Sequence, residues 1–190
     1  MKTKAIVLVA ILVGVLALAV IGYTYLSKNY QAQEDIKAEA VRETEKEPQK
    51  AVDFTVTDKA GNKVNLSDNF GKPIVVNFWA TWCGPCKSEM PEFNKIYKEY
   101  GDEIIFMMVN LTDGYRDTTE KVNQFILENG YEFPVYFDTE YSAASAYSIN
   151  SIPATLFINK NGEITDGHLG AMSESVLRGY IKPLLSGAGQ

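Results

Sequence analysis

The chain has 190 residues, room for one ordinary domain with appendages, and a formal net charge of −6 from 18 basic and 24 acidic side chains. No basic patch and no glycine-rich phosphate loop stands out, so nucleic-acid binding is not expected. Two cysteines allow one intramolecular disulfide rather than a framework, and with a single histidine, His168, the chain alone cannot assemble a four-ligand Cys/His zinc site. No metal site and no cofactor is therefore read from the sequence.

Met1-Lys2-Thr3-Lys4 precedes an uncharged apolar run from Ala5 to about Leu26. A helix crossing a bilayer needs roughly 20 such residues. A secretory h-region is shorter, about 7–15 residues, and ends at a small-residue cleavage site that Ile21-Gly22-Tyr23-Thr24-Tyr25-Leu26 does not offer. Residues 1–26 thus read as an uncleaved signal anchor that holds the protein to the membrane. Lys2 and Lys4 favour a cytoplasmic N-terminus and place the rest of the chain on the extracytoplasmic side. Residues 27–50, rich in Glu, Lys and Gln with Pro48 near the end, carry no sustained apolar period and read as a polar tether.

The folded domain is expected over 51–190. Val52–Thr57 and Lys63–Leu66 flank Asp58-Lys59-Ala60-Gly61-Asn62 as a hairpin, and Ser67–Phe70 suits one helical turn. Ile74–Trp79 reads as a buried strand. It runs into Trp82-Cys83-Gly84-Pro85-Cys86-Lys87 and then into an amphipathic helix with Met90, Phe93, Ile96, Tyr97 and Tyr100 inward, stopped at Gly101-Asp102. Cys83 falls near the helix N-terminus, where unpaired N–H groups and the macrodipole favour a thiolate. Cys86 lies one turn later, within disulfide reach. Pro85 is tolerated early in the helix, and Pro91 inside it is expected to cause a kink.

Ile104–Val109 is a second continuous apolar run, as suits a parallel strand covered on both faces. A polar loop, Asn110–Asp117, precedes a helix over Thr118–Asn129 with Val122, Phe125 and Ile126 inward and Gly130 as its stop. Phe133–Phe137 reads as a strand and Glu140–Tyr147 as a short helix. Ala154–Ile158 and Glu163–His168 form a hairpin around Asn159-Lys160-Asn161-Gly162. Ser173 to about Leu185 closes the chain as a helix using Val176, Leu177, Tyr180, Ile181 and Leu184. The order specifies an α/β fold: a mixed central sheet flanked by helices, parallel at its centre and antiparallel at its edges.

Trp-Cys-Gly-Pro-Cys resembles the thioredoxin active-site motif. The longer stretch from Val76 to Pro91 resembles the membrane-anchored TlpA/ResA branch of thiol–disulfide oxidoreductases, and the resemblance extends over residues 51 to about 187. It implies a thioredoxin-like fold with an N-terminal β-hairpin and a central βα insertion over 111–150. It also implies dithiol exchange through Cys83 and Cys86 as a redox-active disulfide, with Cys83 the nucleophile. Ile152-Pro153 matches the family's cis-proline loop, which with Trp82 would meet the substrate. Glu89 matches an acidic active-site residue, and Asp113 lines up less securely with a second. Asn77 stands where thioredoxin has a buried aspartate, which leaves Glu89 as the substitute proton acceptor. Gly84-Pro85 accompanies a reducing potential in thioredoxin.

The expected function is an extracytoplasmic reductase of protein disulfides, with apocytochrome c as one substrate the family implies and a transmembrane electron donor as partner. An oxidant introducing disulfides is the alternative in the same class. A peroxidase lacks its Thr-x-x-Cys-like setting here. A copper-binding module is expected to show Cys-x-x-x-Cys and a distant histidine ligand, whereas the spacing here is Cys-x-x-Cys and His168 stands alone.

Overall fold

A computed structural model describes residues 14, 16, 20–27 and 49–186. The chain divides into two units, 1–47 and 48–190. In the first, residues 20–27 are helical. Among the described residues no helix is long and apolar enough to cross a membrane. Most of the expected anchor, and the tether up to residue 48, lie outside the described residues.

The second unit is built on one eight-stranded sheet. Its strands are β1 (Gln49–Lys50), β2 (Thr55–Thr57), β3 (Lys63–Asn65), β4 (Ile74–Trp79), β5 (Ile105–Asn110), β6 (Val135–Phe137), β7 (Ala154–Ile158) and β8 (Glu163–Leu169). Its helices are α1 (Gly84–Tyr100), α2 (Thr119–Asn129), α3 (Ser142–Ala146) and α4 (Glu174–Ser186), with a 3₁₀ turn at Leu66–Asn69. The strand order is β1-β8-β7-β4-β5-β6-β2-β3. β4, β5 and β6 run parallel, and the remaining pairs are antiparallel. This is the mixed α/β sheet expected from the order of elements.

All six residues of β4 are buried, and the pleat sorts them. Ile74, Val76 and Phe78 join a core with Phe54, Leu66, Met107, Val109 and Ala143, beneath the β2–β3 hairpin and α3. Val75 and Trp79 face the other way, into a core with Met90, Phe93 and Ile96 of α1, Val122 of α2 and Leu177, Ile181 and Leu184 of α4. Asn77, between Val75 and Trp79, is the one polar residue in that row. Successive side chains alternate faces in a strand, so a two-sided core demands the unbroken apolar run seen in the sequence.

Three local readings differ from the sequence expectation. Gln49 and Lys50, read as tether, pair with Ile164 and Glu163 as an edge strand, and Lys50 Nζ lies 2.9 Å from Glu163 Oε1. α3 is shorter than the expected Glu140–Tyr147, because Tyr141 takes a left-handed backbone (φ 55°) immediately before it. Val176 is 41% exposed rather than inward, because Leu177, Ile181 and Leu184 already complete the buried stripe of α4. α1 carries Pro91 in its interior and ends at Tyr100, beside the expected stop at Gly101. The stop at Gly130 holds: its φ of 65° allows the left-handed cap that accompanies N–H bonds back to Ile126 and Leu127.

Phe93 is fully buried where α1 meets the sheet. Phe93→Ala is expected to cost about 3–5 kcal/mol of stability, read as a lowered urea midpoint in the disulfide form.

Candidate active site

β4 ends at Trp79, and Ala80-Thr81-Trp82 carry the chain to Cys83, the N-cap of α1. Its extended backbone (φ −83°, ψ 110°) turns Sγ back over the first turn, where it accepts a hydrogen bond from the Cys86 N–H at 3.1 Å. Gly84 and Pro85 are the first two helical residues, so the missing proline N–H leaves no helical bond unmade. Cys83 and Cys86 form a disulfide with Cα atoms 5.3 Å apart. Cys83 retains 6% exposure and Cys86 none, so an approaching molecule reaches Cys83 first. Trp82 beside it is 42% exposed.

The antiparallel register of β4 with β7 places Phe78 opposite Ala154. The Ile152–Pro153 loop, which immediately precedes β7, is thereby carried to the helix start. The Ile152–Pro153 bond is cis, and the Ile152 carbonyl oxygen lies 3.7 Å from Cys83 Sγ. The residues singled out in the sequence as Cys83, Cys86, Ile152 and Pro153 are thus brought together.

Glu89 lies three residues after Cys86 on the buried side of α1 and is 1% exposed. Its carboxyl is held from two sides: Asn77 Nδ2 donates to Oε1 at 2.9 Å, and the Met172 N–H donates to Oε2 at 2.9 Å. Burial pushes it up to about 7, against the pull of these two donors. Asn77 Nδ2 also donates to Thr155 Oγ1 at 3.0 Å, while Asn77 Oδ1 is buried without a partner among the described residues. Turned over, the same amide would offer that oxygen to a protonated Glu89 and to the Thr155 hydroxyl. The site can therefore hold the carboxyl in either protonation state.

Asp113 is bonded within its own turn. Its Oδ1 accepts the N–H groups of Tyr115, Arg116 and Asp117 at 2.9, 2.7 and 3.0 Å, and its Oδ2 accepts from Arg116 Nε at 2.9 Å. Burial works against its charge, but the N–H of Asp117, the Arg116 guanidinium and the other turn N–H groups prevail and hold it well below the usual carboxylate range. The sequence reading passed over Asp117. It is fully buried, accepts from the Thr81 N–H at 2.8 Å and from Asn110 Nδ2 at 2.8 Å, and is hydrogen-bonded to the Thr81 hydroxyl. Thirty-six positions separate Asp117 from Thr81, so no local pattern announces the contact. His168 Nδ1 lies 3.3 Å from the Tyr180 hydroxyl. A groove of about 470 Å³ lies between β8 and α4, lined among others by Asp166, Val176 and Tyr180, and includes none of the cysteine-loop residues.

A model of the AhpC/TSA family matches residues 48–166. The chain belongs to this family of thioredoxin-like proteins. It is 31% identical over 189 residues to the thiol-disulfide oxidoreductase ResA of Bacillus subtilis (strain 168), covering 96% of this chain and 97% of that protein. It is 36% identical over 137 residues to ResA of Bacillus thuringiensis (strain Al Hakam), covering 70% of this chain and 76% of that one. The crystal structure of StoA from Bacillus subtilis superposes with a TM-score of 0.60 at 28% identity, over 70% of this chain and 99% of that one. The chain is a thiol–disulfide oxidoreductase with the thioredoxin-like fold.

The raised carboxyl of Glu89 carries a stability signature. It titrates at about 7 when folded against 4.5 for a free side chain, so the folded chain holds a proton that the unfolded chain releases between those values. This contribution is complete below about pH 4.5 and is lost as pH rises through about 7, a swing on the order of 3 kcal/mol. The urea midpoint of the disulfide form, compared between wild type and Glu89→Gln, should fall with pH across this window only where the carboxyl is present. Parallel curves would remove the assignment.

Proposed function

We propose that this oxidoreductase works outside the cytoplasm, anchored by its N-terminal apolar run, and reduces protein disulfides. The observation that carries the exchange mechanism is the asymmetry of the two sulfurs: Cys83 caps α1 at the surface, and Cys86 lies beneath it with no exposure. In the reduced protein, the Cys86 N–H and the helix N-terminus stabilise a Cys83 thiolate. That thiolate attacks one sulfur of the substrate disulfide. The Cys83–substrate bond forms, the substrate S–S bond breaks, and the other substrate sulfur leaves as a thiolate. Cys86 then loses its proton and attacks Cys83. The Cys83–Cys86 disulfide forms and the second substrate sulfur departs.

Glu89 is the group we assign to proton exchange with Cys86, one turn away on the same helix. A carboxyl near 7 takes a proton from a thiol and returns it without a large penalty in either direction. Trp82 and the Ile152–Pro153 segment form the surface that receives the substrate chain. Gly84-Pro85, the pair that accompanies reducing potentials in thioredoxin, supports the reductive direction. The resemblance to ResA-type proteins supports apocytochrome c cysteines as one substrate. Each turnover leaves an oxidised pair that needs two electrons and two protons, so a transmembrane electron carrier is the implied partner.

The equilibrium reduction potential of the full chain in detergent, measured against a glutathione or dithiothreitol buffer, tests the direction. A value below about −230 mV is expected, and one near about −120 mV would reverse the assignment. Cys86→Ser should accumulate a mixed disulfide through Cys83, and Cys83→Ser should accumulate none. For the topology, a reporter fused after Gln190 should function only on the extracytoplasmic side, and cytoplasmic activity would overturn it.

A further inference from the structure

The insertion loop before α2 places a cation against the residue that precedes the nucleophile. The Arg116 guanidinium carbon lies 3.8 Å from the centroid of the Trp82 ring. Two carboxylates fix this stack. Asp113 binds three turn N–H groups and Arg116 Nε, which sets the side chain. Asp117, the next residue, binds the Thr81 N–H and Asn110 Nδ2, which staples the insertion loop to the residue before Trp82. Each half of the stack is thus held through its immediate chain neighbour.

The arrangement leaves Arg116 underused. A guanidinium carries five N–H donors in a planar fork. Only Nε has a hydrogen-bond partner among the described residues, and the side chain is 54% exposed against 14% for Asp113. Lys121 adds a second cation here, its Nζ donating to the carbonyls of Tyr115 and Arg116 at 3.2 and 3.4 Å. Asp113 and Asp117 lie beneath the stack, so the exposed side of the Arg116 fork, on the residue that precedes Cys83, is the cationic face it offers to solvent.

We propose that Arg116, stacked on Trp82, is a specificity-determining subsite for a carboxylate in the protein substrate, an Asp or Glu side chain close to the cysteine that Cys83 attacks. The inference rests on the exchange reaction proposed above. The stack holds the fork in one plane and lowers the ordering cost of a planar, charge-assisted pair with a carboxylate. The substrate aliphatic stem would lie along the exposed Trp82 face and its charge on the arginine. The subsite changes which disulfides are attacked and leaves the electron balance untouched: one substrate disulfide becomes two thiols as Cys83 and Cys86 become a disulfide.

The test uses the full chain in detergent, reduced with dithiothreitol and desalted. Its second-order oxidation rate is measured with synthetic disulfide-linked peptides that carry Glu, Gln or Lys beside the cysteine. Each rate is divided by the same peptide's rate with free dithiothreitol, which removes intrinsic differences in reactivity. Glu is expected to exceed Gln by about three- to fivefold at low ionic strength, with Lys below both. The preference should fade toward one in about 1 M salt, where screening reaches ~3 Å. Arg116→Gln should abolish it, and Arg116→Lys, which keeps charge but loses the fork, should retain part. A wild-type ratio of one, or an Arg116→Gln protein that keeps the wild-type preference, overturns the subsite. Wild-type protein that fails to oxidise with a small neutral disulfide such as hydroxyethyl disulfide removes the exchange reading itself. Exchange with that compound but no Glu preference removes the subsite alone.

Discussion

Everything at the active site hangs on β4. It is buried on both faces and hydrogen-bonded on both edges, to β5 in parallel and to β7 antiparallel. A strand so enclosed has one register available, because a slip by one residue would turn Val75 and Trp79 toward the hairpin side and Ile74, Val76 and Phe78 toward α1. Its last residue fixes where α1 begins and therefore where Cys83 sits. Its pairing with β7 fixes where the Ile152–Pro153 loop crosses. Two segments about seventy residues apart meet at one sulfur because each is attached to the end of a strand whose register is not free.

The same enclosure explains the chemistry available to Glu89. The apolar row facing α1 is broken once, at Asn77, and Glu89 is the carboxyl that meets the break. A carboxylate with two N–H donors is tolerable in a core, and burial still raises its proton affinity to the neutral range. The Asn77 oxygen is buried with no hydrogen-bond partner among the described residues, while its nitrogen serves both Glu89 and Thr155. Asp117 shows the contrasting use of a buried acid. It takes donors from the cysteine loop and from the end of β5 and ties the insertion to the cysteine loop. One carboxyl has its proton affinity raised by burial; the other is a staple.

Much of this was legible in the chain. The strand, the Cys-x-x-Cys and the amphipathic helix that follow one another from Ile74 to Tyr100 are short-range facts of periodicity and helix-end chemistry, and the structure keeps them with Cys83 as the cap. Glu89 was legible as a position one turn beyond Cys86, and Asn77 as a polar residue in an apolar run. Asp113 was legible as an acidic residue in a polar loop, and the structure keeps it there, organising its own turn and the Arg116 side chain. Arg116 and Asp117 went unnoticed because the groups they meet at the cysteine loop, Trp82 and Thr81, lie far away in the chain.

By itself the sequence determined the order and type of the elements from the β2–β3 hairpin onward, the buried stripe of α1, and the pair of sulfurs placed where a helix start favours negative charge. These follow from interactions within a turn or a strand pair, over a few residues of chain. Only the tertiary structure decided that Gln49 and Lys50 belong to the sheet through Glu163 and Ile164, that Met172 and Asn77 hold Glu89, and that Arg116 lies over Trp82. Each of these joins residues between 12 and 115 positions apart. Such contacts exist only once the strand order and register are set, and no local pattern encodes which distant group will arrive.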